Sequence, residues 1–194
     1  MKISAKEIID IRKPRLRYPV IKPIADRFSP RHFSSEKIPE KDLNSIFEAA
    51  RLAPSGHNYQ PWYFYWTENN SSSFKKIVSC LPQSNYWAKT AAVFIIACYL
   101  PVVEGERNPY ALYDLGASVM SLVLQAQHLE YYARQIGNCD TEKLRKLFNL
   151  NKDHQPFVVI AFGKLGNYKN IEEVYLQKDI QSHPKKTQIA KKIT

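Results

Sequence analysis

The sequence lacks the features that mark membrane, secreted and metal-binding proteins. Its longest uninterrupted apolar run, Ala91–Leu100, has ten residues, about half of the roughly 20 that a membrane helix requires. The N-terminal residues contain no apolar signal core, so we expect a cytoplasmic protein without membrane association. Cys80, Cys98 and Cys139 form no Cys-x-x-Cys pair, which predicts reduced thiols and neither a disulfide framework nor a zinc site. The histidines offer no metal-ligand spacing, so no metal is expected.

What the sequence does contain is typical of one folded domain. Hydrophobic residues make up 44% and aromatic residues 12% of the 194 residues, a composition that globular proteins have and disordered proteins lack. A chain of this length buries a substantial core. We therefore predict a single domain over residues 1–194, in which residues 1–23 form a basic N-terminal arm. Residues 167–194 are predicted to form a basic C-terminal tail that is sparse in core residues.

The net charge of +10 is confined to the two ends of the chain. Residues 1–31 carry nine Lys/Arg and three acids, giving +6, and residues 164–194 carry seven and three, giving +4. The middle of the chain holds twelve charges of each sign and is neutral. Such ends are usually solvated arms, although two basic ends that converge on one anion give the same pattern. No recognition motif accompanies the charge, so we expect no nucleic acid partner.

A polar loop at Ala53–Trp62, Ala-Pro-Ser-Gly-His-Asn-Tyr-Gln-Pro-Trp, joins a helical pattern to the aromatic strand Tyr63–Trp66. Pro54 ends the helix because its ring and missing N–H cannot continue it. Residues with turn chemistry follow, with short polar side chains and free backbone N–H groups: Ser55, Gly56 and Asn58. The loop is either an ordinary helix-to-strand connection or a place that holds a flat polar ligand.

Two arginines near the N-terminus can form a compact anion site. Arg27 and Arg31 lie four residues apart with Ser29 between them. Guanidinium groups are permanently charged, forked donors, and the serine adds a hydroxyl. Taken alone, the same pattern is also that of a solvated basic turn.

Apolar periodicity predicts the main elements. Ser4 and Glu7 form a capping-box pattern that opens a short helix. Ala91–Leu100 is apolar on both faces, which predicts a central strand, and Phe157–Phe162 is a second apolar strand. Residues 69–73 and 102–110 are interpreted as loops.

One long helix is predicted from about Tyr110 to Tyr132, and Asp140 is the predicted N-cap of the next helix. The long helix carries a continuous apolar stripe: Leu112, Leu115, Val119, Leu122, Ala126 and Leu129. A stripe this wide suits both a core and a contact with a twofold mate. We therefore expect Leu122 to lie on a dimer seam.

Several motifs resemble those of one family. The loop at Ala53–Trp62 resembles the Ala-Pro-Ser-Ser-x-Asn-x-Gln-Pro-Trp loop of the FMN-dependent nitroreductases. Arg27–Phe33 resembles that family's first flavin-contacting motif, Arg-x-Ser-x-Arg-x-Phe. Asp114–Gly116 is similar to the start of its subunit-interface helix. The resemblance runs in order from about Ile24 to Gly166.

The segment Arg134–Asp140 resembles a family subgroup's His-Gln-Met-x-Gly-Phe-Asp motif, with departures. Arg134 replaces His and Cys139 replaces Phe. Asn138 stands where Gly is usual, unless the glycine has moved one place earlier, to Gly137. Asn is the residue other than Gly that best tolerates positive φ, so we expect Asn138 to take the conformation of the missing glycine. The resemblance implies that a backbone N–H of Gly137 or Asn138 points at flavin N5.

The resemblance implies a fold and a reaction. The fold is α+β, with a central, mostly antiparallel sheet flanked by helices, in a homodimer with FMN at the subunit interface. The reaction is an FMN-dependent oxidoreduction in which NADH or NADPH supplies electrons by ping-pong kinetics to a nitroaromatic, quinone or related small electrophile. No catalytic side chain is expected, because the cofactor carries the chemistry.

The resemblance also implies the site residues. Arg27, with Lys185 and Lys186, is expected at the FMN phosphate. Arg31 is expected beside N1 and the C2 carbonyl, where a cation stabilises the reduced flavin. Pro54, Ser55, Gly56 and Asn58 of the loop are expected to reach FMN from the partner subunit. The full predicted set is Arg27, Phe28, Ser29, Arg31, Pro54, Ser55, Gly56, Asn58, Gln135, Ile136, Gly137, Asn138, Lys185 and Lys186.

Two alternatives stay open at the level of the sequence. One is a member of the family with another flavin reaction, such as enoate reduction. The other is a non-catalytic FMN-binding module. Oxidation of NAD(P)H by the purified protein separates an enzyme from such a module.

Overall fold

The computed structural model describes residues 3–193, which place helices on both faces of an antiparallel sheet. The α-helices in this range are α1 (Ala5–Arg12), α2 (Lys22–Asp26), α3 (Glu40–Arg51), α4 (Ser72–Val78), α5 (Ala111–His128), α6 (Thr141–Phe148) and α7 (Glu173–Ile180). The strands are β1 (Trp62–Glu68), β2 (Val93–Tyr99), β3 (Val102–Val103), β4 (Glu106–Arg107), β5 (Tyr132–Ile136) and β6 (Gln155–Gly163). Short 3-10 helices lie at Gly56–Asn58, Gln83–Thr90 and Tyr168–Asn170.

The main sheet has the order β1-β2-β6-β5, and every neighbouring pair is antiparallel. Strand β2 pairs on both sides, which confirms the central strand predicted from its apolar run. Its side chains alternate between two cores, with Phe94 and Ile96 in one and Val93 and Ile95 in the other, as the period of two along a strand requires. The predicted α+β fold with an antiparallel sheet is confirmed.

Each face of the sheet has its own hydrophobic core. On one face, α3 and α5 cover a core that includes Leu43, Ile46, Leu115, Leu122 and Ile160. On the other face, residues of α1, α4, α6 and α7 contribute to a core that includes Ile8, Phe74, Leu144 and Leu176. Within residues 3–193, no helix is both long and apolar enough to cross a bilayer.

Side-chain caps fix where several helices begin. Ser4 and Glu7 form the predicted capping box at the start of α1, and Asp140 is the predicted N-cap of α6. Ser71 caps α4 in the same way, because its Oγ accepts a hydrogen bond from the N–H of Phe74 at 2.9 Å. The interpretation of this polar run as a loop throughout was therefore wrong, since three serines in a row supply a cap as well as a turn.

The long helix ends earlier than predicted. It stops at His128, and Glu130 adopts a φ of 62° that turns the chain back on itself. Tyr132–Ile136 then pairs with β6 as an edge strand, so the predicted extension of the helix to Tyr132 was wrong. The backbone of these residues finds its hydrogen-bond partners in the sheet, a tertiary effect that overrides the local apolar pattern.

The segment 102–110, predicted as a loop, contains the two-stranded hairpin β3-β4. Its turn residues, Glu104 and Gly105, have φ values of 54° and 83°. Positive φ at both central positions is what a tight two-residue hairpin turn requires.

The region after Gly166 is more structured than predicted. Tyr168 and Leu176 are each 1% exposed, and α7 packs against α1. Gly166 approaches the chain so closely that a Cβ there would lie 2.5 Å from Cδ2 of His32, which explains the need for glycine. The prediction of a core-poor tail was wrong for residues 168–180, while residues 181–193 are exposed.

Candidate functional site

Arg27 begins an irregular segment directly after α2. Its Nη1 donates a hydrogen bond to Oγ of Ser29 at 3.2 Å. Phe28 between them is 3% exposed and packs edge-on against Tyr132 of β5, with ring centroids 5.1 Å apart. Phe28 therefore anchors the segment in the core, while its two polar neighbours stay half-buried.

Arg31 is held by a buried carboxylate from α7. Its Nη1 donates to Oδ1 of Asp179 at 2.9 Å, and its backbone N–H donates to Oδ2 at 2.7 Å. The hydroxyl of Tyr168 also donates to Oδ2, at 2.8 Å. Burial, reinforced by the Asp179 carboxylate, raises the pKa of Tyr168, so this phenol keeps the proton that it donates.

Arg134 of β5 lies in the same place, although the sequence motifs assign it no role. Its Nη1 donates to the backbone carbonyl of Ser29. Its guanidinium lies over the ring of Trp87, 5.4 Å from the centroid, a contact that stabilises a cation on an aromatic face. Burial, with the nearby charge of Arg31, lowers the pKa of Arg134 to about 10.

Arg12 of α1 is the fourth guanidinium of this group. It lies 5.7 Å from the centroid of Phe28, and its Nη1 donates to the carbonyl of Gln181 at 2.8 Å. Its buried Nε lacks a hydrogen-bond partner among the described residues. Burial lowers the pKa of Arg27, and the nearby charge of Arg12 lowers it further. We call Arg12, Arg27, Arg31 and Arg134 the arginine cluster.

The arginine cluster fits an anionic group of more than one charge. The salt bridge to Asp179 compensates one of the four cations. Partly buried cations without a counter-charge are costly, and the lowered pKa values of Arg27 and Arg134 express that cost. A phosphate dianion would supply both the missing charge and acceptors for forked guanidinium donors. The donor set is therefore that of a phosphate site.

The segment 135–138 lies next to the arginine cluster. Ile136 is 2% exposed and belongs to the core, whereas Gln135 and Gly137 are exposed. Oδ1 of Asn138 accepts a hydrogen bond from Nδ2 of Asn85 at 2.8 Å. Oδ1 of Asn85 in turn accepts from Nε1 of Trp87 at 3.2 Å, and Trp87 is the ring beneath Arg134. Two side chains thus connect this segment to the cluster.

The expectation of a left-handed Asn138 is wrong. The residues other than glycine that have positive φ within the described chain are His57, Asn58, Gln60, Asn70, Glu104, Glu130 and Asn149. Asn138 turns the chain with a negative φ, and its side chain is fixed by Asn85 instead. The turn therefore does not need the glycine that the family motif carries.

The loop after α3 is built from left-handed residues and one carboxylate. His57, Asn58 and Gln60 have φ values of 52°, 58° and 48°. The N–H of Gly56 donates to Oδ2 of Asp114, in the first turn of α5, at 3.2 Å. Asp114 is 3% exposed, so it holds the loop from beneath.

The outer side of this loop faces solvent. Oγ of Ser55 accepts from the N–H of Gln60 at 3.0 Å, which closes the turn. Pro54 and Asn58 are exposed. These residues are therefore available to a neighbouring molecule.

The loop and the arginine cluster lie at opposite ends of α5. Gly56 contacts Asp114 in the first turn, whereas Phe28 contacts Tyr132 just beyond the last turn. With 18 residues, α5 is about 27 Å long at a rise of about 1.5 Å per residue. Within one chain, the structure brings together residues 27–31 and 134–138 and keeps the loop at residues 54–58 away from them.

Lys185 and Lys186 lie in the exposed segment after α7. That segment runs along the N-terminal arm, because Nη1 of Arg17 donates to the carbonyl of Thr187 at 3.1 Å. The two basic ends of the chain thus lie side by side. The role of the two lysines at a phosphate stays a prediction.

The fold and the arginine cluster together define an α+β domain suited to a phosphate-bearing ligand. The chain belongs to the nitroreductase family, whose model matches residues 24–80 and 79–164. The membership predicted from the motifs is confirmed, and the finer resemblance to one subgroup stays a prediction.

Relatives and solved structures agree with this membership. A protein of Archaeoglobus fulgidus, provisionally named NADH dehydrogenase/NAD(P)H nitroreductase, is 26% identical over 170 residues, covering 84% of this chain and 93% of the relative. An oxygen-insensitive NADPH nitroreductase of Helicobacter acinonychis is 32% identical over 105 residues, or 50% and 45% of the two chains. The crystal structure of an oxidoreductase containing FMN matches with a TM-score of 0.81 at 26% identity, covering 88% of this chain and 90% of that one.

Sequence reasoning missed the residues that hold the predicted site residues in place. Arg134 was noted only as a departure from a family motif, and Asp179 fell in the supposed tail. A signal for Asp179 exists, because Leu176 and Ile180 are four apart and indicate a helix face that packs inward. A carboxylate beside that face in a basic region predicts a cationic partner.

Proposed function

We propose that the chain is an FMN-dependent oxidoreductase that takes electrons from NADH or NADPH and delivers them to nitroaromatic, quinone or related small electrophilic acceptors. Membership in the nitroreductase family, the names of the relatives and the FMN-containing neighbour support this function. The single observation that carries it is the arginine cluster, whose four cations have one compensating salt bridge within residues 3–193, that of Arg31 with Asp179. FMN has the phosphate that such a cluster requires.

The residues of the cluster divide between two parts of the cofactor. Arg27 would hold the phosphate, because its guanidinium forms no salt bridge among the described residues and its hydrogen-bond partner Ser29 is neutral. Arg31 would lie at the pyrimidine edge, where a fixed cation stabilises negative charge on the reduced cofactor. When bound, FMN supplies the hydride and electron-transfer chemistry. The backbone N–H of Gly137 or Asn138 would serve as the donor to N5.

We further propose a homodimer in which each site is built from two chains. The loop at residues 54–58 and the arginine cluster are separated by the length of α5, so one chain cannot bring both to one FMN. The outward face of α5 carries exposed apolar side chains, with Leu112, Tyr113 and Met120 at 44%, 80% and 37% exposure. Antiparallel packing of this face on its twofold mate would bring the loop of one protomer beside the arginine cluster of the other.

The purified protein tests this function directly. A flavin spectrum with one FMN per chain, a dimer in solution, and oxidation of NADH or NADPH coupled to a nitroaromatic or quinone are expected. A yellow protein that leaves both NADH and NADPH unoxidised would be a binding module. A colourless protein that takes up no added FMN would overturn the proposal.

A further inference from the structure

The contacts of Asp179 set it apart from the other carboxylates that pair with cations in the described chain. Its side chain is 1% exposed, and that of Arg31 is 18% exposed. The remaining salt bridges join side chains that are mostly well exposed, such as Arg51 with Glu48. Among the salt bridges of the described chain, the Arg31–Asp179 pair is the most buried.

Three donors converge on this carboxylate. Two come from Arg31, the backbone N–H at 2.7 Å and Nη1 at 2.9 Å, and the third is the Tyr168 hydroxyl at 2.8 Å. The two contacts with Arg31 fix both its backbone and its guanidinium, so the side chain has little freedom. A buried, fully bonded carboxylate of this kind holds its partner's geometry because any displacement would leave a charge unpaired.

The pairing also changes the charge that a ligand experiences. An unpaired Arg31 would present a full positive charge to the pyrimidine edge of FMN. With Asp179 in contact, both the backbone N–H and Nη1 of Arg31 are tied to the carboxylate, so the guanidinium is not free to turn its charge and its donors fully towards the ligand. Arg134 and Arg12 also face this pair, and their charges are present in all the variants compared below.

We propose that Asp179 is a positioning residue that sets how strongly Arg31 acts on bound flavin, and that it keeps the flavin reduction potential lower than an unpaired arginine would. This inference rests on the proposed function. It adds a consequence for the acceptors: a lower potential makes the reduced protein a stronger electron donor, which favours acceptors that are hard to reduce, such as nitro compounds.

The test is redox titration of the FMN-loaded protein. Asp179→Asn keeps the shape of the side chain and removes its charge. The variant should retain FMN while the ratio of reduced to oxidised flavin affinity rises about tenfold, which corresponds to about 30 mV for a two-electron couple. FMN affinities from fluorescence quenching give the second readout. Asp153→Asn, which removes an exposed carboxylate, is the matched control and should leave the potential unchanged.

The same substitution in an Arg31→Gln background shows whether Asp179 acts through Arg31. Removing the carboxylate from a protein without the arginine should leave the potential where Arg31→Gln alone places it. An equal rise in both backgrounds would mean that Asp179 acts on the flavin by itself, and would overturn the inference. The inference would also be overturned if Asp179→Asn had the wild-type flavin potential, or if Asp153→Asn shifted the potential as much as Asp179→Asn does.

Folding does not limit the test. If Asp179→Asn alone fails to fold, wild type is compared with Arg31→Gln/Asp179→Asn, in which both charges of the pair are removed and neither is left buried and unpaired. Similar potentials in these two proteins support the inference, because the restrained Arg31 then adds little to the potential. A potential well below that of wild type in the double variant overturns it, because Arg31 then acts at full strength despite Asp179. A wild-type protein that binds no FMN would overturn the proposed function, and this inference with it, so the two failures are distinguishable.

Discussion

Met120 and Leu122 lie two residues apart on α5 and face opposite sides of it. Leu122 is fully buried in the core that α5 shares with α3 and the sheet, whereas Met120 is 37% exposed. The expectation that Leu122 lies on a dimer seam was therefore wrong, because the apolar stripe of α5 is used by the chain's own core. The candidate dimer surface is the narrower outward face.

Substitutions at Met120 and Leu122 distinguish an effect on association from an effect on folding. Met120→Asp should dissociate the proposed dimer and release FMN while the chain stays folded, because Met120 lies on the exposed face of α5 that is proposed to pack against the partner. Leu122→Asp should unfold the chain, since burying an unpaired charge costs at least several kcal/mol. Light scattering, far-UV circular dichroism and flavin absorbance measure the three outcomes.

A conservative pair of substitutions serves as the control. Met120→Leu should keep both the dimer and FMN, and Leu122→Ala should lower the free energy of unfolding by about 2–5 kcal/mol without changing the oligomer. A folded Met120→Asp monomer that still binds stoichiometric FMN would contradict the shared site.

Arg27 and Arg31 should have different effects on the flavin. Arg27→Ala should weaken FMN binding by roughly 1.5–3 kcal/mol, the loss of one charge-assisted hydrogen bond, with little change in potential. Arg31→Ala should weaken binding and also lower the reduction potential, because a cation favours the negatively charged reduced form. Arg15→Ala removes an exposed arginine of the arm and is the matched control. Equal potentials in wild type and both variants would show that the division of roles is wrong.

The backbone of Asn58 should tolerate glycine but not a β-branched residue. Its φ of 58° lies in the left-handed region, where residues with a Cβ pay roughly 1–2 kcal/mol. Asn58→Gly should leave stability nearly unchanged, while Asn58→Val should reduce it.

Asn138 supplies the comparison, since its φ is negative. Asn138→Val should cost only about 1 kcal/mol, the loss of its hydrogen bond with Asn85. Urea unfolding of the three variants measures these effects. Equal losses in the two valine variants would show that the left-handed conformation of Asn58 is not what limits the loop.

Tyr131 should make stability fall at alkaline pH. Its hydroxyl donates to Oδ2 of Asp42 at 2.7 Å, and burial, followed by the effect of Asp42, raises its pKa from 10.0 to about 12. The folded state then holds this proton more tightly than the unfolded state. The resulting stability is fully present below about pH 10 and is lost as the pH rises towards about 12.

Denaturant unfolding between pH 8 and pH 12 measures this effect. Tyr131→Phe should be less stable than wild type at pH 8 by about 1.5–3 kcal/mol, the value of a hydrogen bond to a charged group, and the gap should narrow above pH 10. Tyr113→Phe, at a residue that is 80% exposed, should follow the wild-type profile. A gap that stays constant across this range would contradict the raised pKa.

The family, the sheet and the two N-terminal motifs could be predicted from the sequence because each depends on residues that lie close together in the chain. Ala91–Leu100 is apolar on both faces, and a strand of that kind is stable only when it is covered on both sides. Ser4, Asp140 and Pro54 act on backbone groups within a few residues of themselves. The motif around Arg27 and the loop around Gly56 are contiguous, so spacing alone identifies them.

The tertiary structure decided which residues hold those motifs and which face of α5 is free. Asp179 lies 148 residues from Arg31, and a hydrogen bond across that separation leaves no periodic trace in the sequence. Arg134 was visible only as a departure from a family pattern until β5 placed it on Trp87. The apolar stripe on α5 was enough to predict the helix. Only packing against α3 and the sheet determined that Leu122 is in the core and Met120 is outside it. The reason is that an apolar pattern shows that a helix face is covered but does not show which part of the molecule covers it.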